Sequence, residues 1–225
     1  MIKIENESVS SISRAIYSAR NAMNSWDKSD SDFEKDIVGS NDLALAKRLR
    51  NAGTDHRKFM RMITVYVDVT APLYWWKQFD QYKVGTTTDS CSTMHKIHAK
   101  EFDINDFSHE HIEELEGDEY NMSYDWLLRT VELLNYYRQK YLETKTKPMK
   151  EEAKRAPLMK IYWWQMIQLL PSSYNQRRTV MLNYEVLANI YKSRRNHKLD
   201  EWRAFCEWIE TLPYSELITG EIEEN

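Results

Sequence analysis

Six hydroxyl side chains, Thr86, Thr87, Thr88, Ser90, Ser92 and Thr93, fall within eight residues, after the bulky segment YWWKQFDQYK of residues 74–83 and the glycine at 85. Such a cluster supports two readings. With their backbone N–H groups, and with Lys83, His95 and Lys96 near in sequence, the hydroxyls can make a neutral cradle for an anion. Equally, they can satisfy a polar loop between two elements, as Ser and Thr do in turns and caps. Cys91, His95 and His98 also lie within eight residues, with His109 and His111 beyond. Their spacing fits neither Cys-x-x-Cys nor His-Glu-x-x-His, so satisfied or exposed histidines are the simpler reading than a metal site. Trp75, Trp76, Trp163 and Trp164 offer faces for stacking a planar ligand, although tryptophans at helical spacing commonly belong to a core or a subunit interface.

The elements that hold these residues follow from composition and pattern. The 225 residues suffice for a self-sufficient core and are read as a single domain, 1–225. With 42% hydrophobic and 29% charged residues and a formal charge of −4, the chain is neither disordered nor a general nucleic-acid binder, so any anion site is local. Five glycines and five prolines are few, which favours long helices over many tight hairpins. Two cysteines make no disulfide scaffold, no secretion signal is read at the amino terminus, and no apolar run reaches membrane-spanning length. A cytoplasmic location without membrane association is therefore expected.

Helices are expected over residues 10–24, with Ser10 or Ser11 as cap, over 43–51, and from Pro72 to residue 83. Further helices are expected from a Ser123 cap, from Pro157 to Pro171, from residue 179, and from residue 199. ITVYVDVT, residues 63–70, alternates as a strand, and residues 99–122 read as an acidic surface loop with one short helix after Ser108. The fold class is α+β: about seven helices around a small sheet.

Several separated pieces then resemble flavin-dependent thymidylate synthases, in the same order and over roughly residues 10–210. YSARNAMNSWDKSD is similar to the family's early Ala-Arg helix and polar loop, and LAKRLRNAGTDH to its second helix and Glu-His pair, with Asp55 for Glu and His56 kept. QFDQYKVGTTTDSC has the frame of the Arg-His-Arg signature. Gln78 matches an upstream Gln, Gln81-Tyr82-Lys83 replaces Arg-His-Arg, Asp89 stands for Glu, and Cys91 for the signature Ser. LLP at 169–171 and NYEVLANIYKSRRNHKLDEWR resemble later elements, with Asn183, Asn189, Arg194, His197, Glu201 and Arg203 of matching type. The resemblance implies a helix-rich α+β fold and a homotetramer whose sites are shared among subunits. It also implies FAD and a pyrimidine nucleotide as ligands, with a one-carbon unit passing from methylene-tetrahydrofolate to C5 of dUMP and electrons coming from NADPH through FAD.

Carried over by position, the resemblance makes Gln81, Tyr82, Lys83, Asn183 and Asn189 cofactor-binding, and Gln78, Thr86, Asp89, Cys91 and Arg194 substrate-binding. The flavin supplies the hydride in that chemistry, so no protein nucleophile is needed and no catalytic residue is assigned. The charges depart from the pattern: Leu73, Gln81, Thr93, Ile167 and Glu185 stand where arginines are expected, the last where an arginine contacts flavin. Lys83 alone keeps a cation, without the guanidinium fork. The alternative on the same fold is a non-catalytic nucleotide-sensing or interaction module.

Overall fold

The computed structural model describes residues 2–148 and 150–220. In chain order these form β1 (Lys3–Ser10), α1 (Ile12–Ser18), α2 (Ser40–Asn51), β2 (Thr64–Pro72), α3 (Leu73–Phe79) and β3 (Thr87–Ser90). They continue with α4 (Gly117–Thr146), α5 (Arg155–Leu169), β4 (Asn175–Asn183), α6 (Tyr184–Arg194), α7 (Asp200–Glu210) and α8 (Glu216–Thr219), with short 3-10 turns between. The expected helix-rich architecture with a small sheet is present. The strands assemble in the order β1-β2-β4-β3.

The chain packs as two compact units. One comprises Ala71–Trp76 and Ser90–Arg177; the other comprises Ile2–Thr70, Lys77–Asp89 and the chain from Arg178 onward. In the first unit α4 lies along α5. Leu127, Val131 and Leu134 recur at helical spacing on α4 and form a buried cluster with Met166 of α5 and with Ile97, Phe102 and Phe107. Trp75 and Trp76, 0% and 1% exposed, are core residues here, which removes them as ligand platforms. Trp76 Nε1 donates to the Gln176 carbonyl at 2.9 Å.

In the second unit, Val65, Val67 and Val69 point one way from β2 and are buried, as their alternation demands. β1 runs antiparallel to β2, from Lys3 opposite Thr70 to Ser10 opposite Thr64, with a bulge between Glu5 and Ser8. Helix α6, buried along most of its length, packs on α7 and α8.

The polar loop after α1 organises the neighbouring helices. Ser11, at the N-cap of α1, makes no side-chain cap, contrary to expectation. The Asp36 carboxylate instead accepts from Ile12 N at 3.1 Å and Ser13 N at 2.7 Å. Asp30 does the same for α2, accepting from Asn41 N at 2.9 Å and Asp42 N at 3.1 Å. Two loop aspartates thus satisfy helix N-termini remote in sequence.

Other boundaries differ from the sequence expectation. The helix expected from residue 179 begins at Tyr184, because Gln176, Val180 and Leu182 are buried in alternation with outward Arg177 and Thr179, a period of two. Helix α4 starts at Gly117, so Ser123 is interior rather than a cap. Pro72 closes β2 instead of opening α3.

Candidate functional site

The short α3 ends in a turn, with Gln81 N bonded to the Gln78 carbonyl and Tyr82 N to the Phe79 carbonyl. That turn aims Gln78 and Tyr82 at the last turn of α6. Arg194 Nε donates to the Tyr82 hydroxyl at 2.9 Å and Arg194 Nη1 to Gln78 Oε1 at 3.3 Å. Trp202 of α7 donates its indole N–H to the same Gln78 oxygen at 2.9 Å. The Arg194 guanidinium lies 4.9 Å from the Trp202 ring centre and 5.8 Å from that of Tyr82. A cation between two aromatic faces, anchored by a carboxamide and a phenol, is strongly oriented. Beside it, burial and then the charges of Arg194 and Arg203 push the His197 imidazole below its ordinary pKa, so it is neutral at pH 7.

Next to this cluster lies a cavity of about 270 Å³ lined by Phe79, Asp80, Tyr82, Lys83, Thr86 and Thr88. Arg178 Nη1 contacts Asp80 Oδ1 at 2.7 Å and offsets its charge, leaving Lys83 as the cation of the wall. Thr86 Oγ1 is buried and makes no hydrogen bond among the described residues. An unmatched buried hydroxyl costs about 1–3 kcal/mol, which a ligand acceptor or water would recover. Gly85 precedes it with φ of +77°, and an added Cβ would stand 2.8 Å from Asn183 Nδ2. Only glycine accommodates both the left-handed backbone and that close approach.

The hydroxyl stretch therefore divides. Thr87 to Ser90 form β3, at the end of the sheet order, with exposed side chains, so this part is a strand and not a loop or a closed cradle. Thr86 and Thr88 line the cavity. Asp89 is exposed on β3. Cys91 belongs to the first unit, where its N–H bonds to the Arg177 carbonyl at 3.0 Å and its carbonyl accepts from Gln176 Nε2 at 2.8 Å. Ser92 Oγ accepts from His95 N at 2.9 Å as a local turn. Among the described residues no three His, Cys, Asp or Glu side chains gather as a metal site would require.

The cofactor-side positions are scattered around the second unit. Gln81 and Lys83 are exposed. Asn183 is the N-cap of α6, accepting from Val186 N at 3.0 Å. Asn189 is exposed and borders a different cavity, of about 360 Å³, together with Arg50, Arg57, Lys192 and Arg195. Glu185, where the resemblance expects an arginine, is 8% exposed, and its carboxylate oxygens lie 2.9 and 3.2 Å from Arg57 Nε. That position is thus filled by an internal ion pair of reversed polarity. Glu201 is buried, and Arg203 bonds to Asp200 and to the carbonyls of His197 and Lys198. Sequence reasoning passed over Trp202, although a tryptophan on the one strongly amphipathic late helix was the available signal.

No family model and no curated protein matches the chain by sequence. Solved structures do. Thymidylate synthase X from Helicobacter pylori with FAD and dUMP superposes at a TM-score of 0.66 with 14% identity, covering 97% of this chain and 98% of that one. A second complex of that flavin-dependent enzyme with FAD and dUMP gives 0.64 and 16%, covering 97% of each. The UMP/dUMP methylase PolB from Streptomyces cacaoi, bound with 5-Br dUMP, gives 0.57 and 14%, covering 94% of this chain and 89% of that one. The chain carries the thymidylate synthase X fold.

Proposed function

We propose that this protein binds a pyrimidine nucleotide monophosphate at the cavity beside Arg194. The single observation that carries the reading is the convergence of Gln78, Tyr82 and Arg194. Gln78 and Tyr82, on one turn of chain, are tied to the sequence-distant Arg194 by hydrogen bonds of 3.3 and 2.9 Å, on a fold whose solved examples hold dUMP or 5-Br dUMP. The wall suits such a ligand: an aromatic side for a planar base, Lys83 for an anion, and the hydroxyls of Thr86 and Thr88 as donors. Asp89 belongs to the substrate set by position in the resemblance.

FAD is the cofactor proposed from the same likeness, held by Gln81, Tyr82, Lys83, Asn183 and Asn189; when bound it supplies the hydride for one-carbon transfer to C5 of dUMP or a related nucleotide. The chain's part in that chemistry is to bind, orient and exclude water. One observation favours the second reading, a nucleotide-sensing module without flavin chemistry. Glu185, engaged with Arg57, places a carboxylate where a flavin-contacting guanidinium is expected, so a donor to the flavin is lost there.

The experiment separates the two. Purified protein is examined for absorbance in the flavin bands, then titrated with dUMP, UMP and FAD while thermal stability is followed. Stabilisation by dUMP or UMP, weakened about tenfold or more in R194Q, supports nucleotide binding at the cavity wall that Arg194 holds in place through Tyr82. Bound or added FAD supports the flavoenzyme, whereas nucleotide binding without any FAD response supports the sensing module. A melting temperature indifferent to every pyrimidine nucleotide overturns both.

A further inference from the structure

The larger cavity of the second unit, about 360 Å³, is not used by the nucleotide reading. Arg50 reaches it from the end of α2, Arg57 from the turn before β2, and Lys192 and Arg195 from the end of α6, with the hydroxyls of Thr54 and Thr219 between them. We propose that this cavity binds a multivalent oxyanion: a pyrophosphate group, free or as the end of a phosphorylated small molecule.

Charge bookkeeping carries the argument. Among the described residues no acidic side chain lines the cavity. Glu185 offsets Arg57 alone, at 2.9 Å, which leaves three cations around one space. Arg50 is fixed without being neutralised. Its Nε and Nη2 donate to the Leu217 and Ile218 carbonyls at 3.4 and 3.2 Å, and its Nη1 to Asn51 Oδ1 at 3.1 Å, all uncharged acceptors. The backbone makes room for it. Gly220 has φ of +76°, and a Cβ there would stand 2.3 Å from Arg50 Nη1.

Burial, then repulsion from Arg57, lowers the Arg50 pKa, as expected where like charges crowd together with no anion between them. At physiological salt, screening acts over about 8 Å, so cations facing one small cavity still act on a ligand jointly. Guanidinium forks match phosphate oxygens and a lysine adds a mobile point charge, a combination suited to two adjacent phosphates. A long nucleic acid is disfavoured by the formal charge of −4. Asn189 also lines this wall, but the inference rests on the cations and does not depend on a cofactor role for Asn189 or on the nucleotide reading.

The test is isothermal titration of the full chain with sodium pyrophosphate, with sodium chloride added to hold ionic strength constant. Wild type is expected to bind one equivalent. K192Q/R195Q should bind about tenfold more weakly or worse, since two charge-assisted contacts are lost. Both side chains are exposed, so the double variant is expected to keep the wild-type far-ultraviolet circular dichroism. R194Q, which disturbs the nucleotide cluster, should bind pyrophosphate as wild type does. Absence of pyrophosphate binding, or equal binding by wild type and K192Q/R195Q, overturns the proposal. Loss of the dUMP response with pyrophosphate binding retained sinks the nucleotide reading alone.

Discussion

Asp42 shows how much a single buried side chain organises. It is 0% exposed and accepts from Arg20 Nε at 2.6 Å, Ser29 Oγ at 2.6 Å and Ser31 Oγ at 2.5 Å, while Arg20 itself is 5% exposed. One carboxylate thereby joins the turn after α1, the polar loop and the first turn of α2. Removing it would leave Arg20 charged, desolvated and unmatched, a situation that costs about 3–5 kcal/mol. D42A is therefore expected to lower the urea midpoint strongly. The double variant D42A/R20M, which removes the stranded charge as well, should recover a good part of the loss. Equal loss in both would show that the pair is not what matters at this position.

The same loop acts at the scale of elements through Asp36. Burial raises its pKa, but the Ser13 hydroxyl, the Ser13 N–H and the Ile12 N–H together outweigh that and hold it below the ordinary value. A carboxylate depressed in the folded state stabilises fully above its unfolded pKa, about 3.9, and loses that contribution as pH falls through the lower folded value. D36N is thus expected to be less stable than wild type at pH 7, with the gap narrowing on acidification below about pH 4. A gap that stays constant down to pH 3 would remove the charge from the account. This capping was not legible in the sequence, because the nearest serines looked sufficient and the true acceptor comes from across a loop.

Where the pattern was strong, as in the valines of β2 or the buried stripe of α4, elements could be read directly. Where strands sit at an edge, as the partly exposed Lys3–Ser10 and the exposed Thr87–Ser90 do, no buried apolar alternation exists to be seen. In β4 the two-residue period runs straight into the helical period of α6, so the apolar run looked like one helix. The site followed the same logic. Gln78, Tyr82 and Arg194 were legible as residue types in a familiar order, but their meeting depends on the fold, and Trp202, which shares Gln78 with Arg194, carries no motif. The basic cavity escaped altogether, because its four cations come from three separate stretches of chain.

At the scale of the whole molecule, α4 presents two opposite faces. Leu127, Val131 and Leu134 are buried, whereas Met122, Trp126, Leu133 and Tyr136 fall on the other side and are 72%, 62%, 40% and 54% exposed. Four large apolar side chains along one stripe are more than scattered surface hydrophobics, and such a run is a usual mark of an interface. This stripe is where the homotetramer implied by the sequence resemblance would be held together. Sedimentation velocity of wild type is expected to show a principal species near four times the 27.0 kDa chain mass. M122E/W126E, which puts two carboxylates on that stripe without touching the buried face, should shift the population toward smaller species while leaving far-ultraviolet circular dichroism unchanged. A wild-type chain that sediments as a monomer at every concentration would refute the assembly, and a tetramer indifferent to M122E/W126E would move the interface off α4.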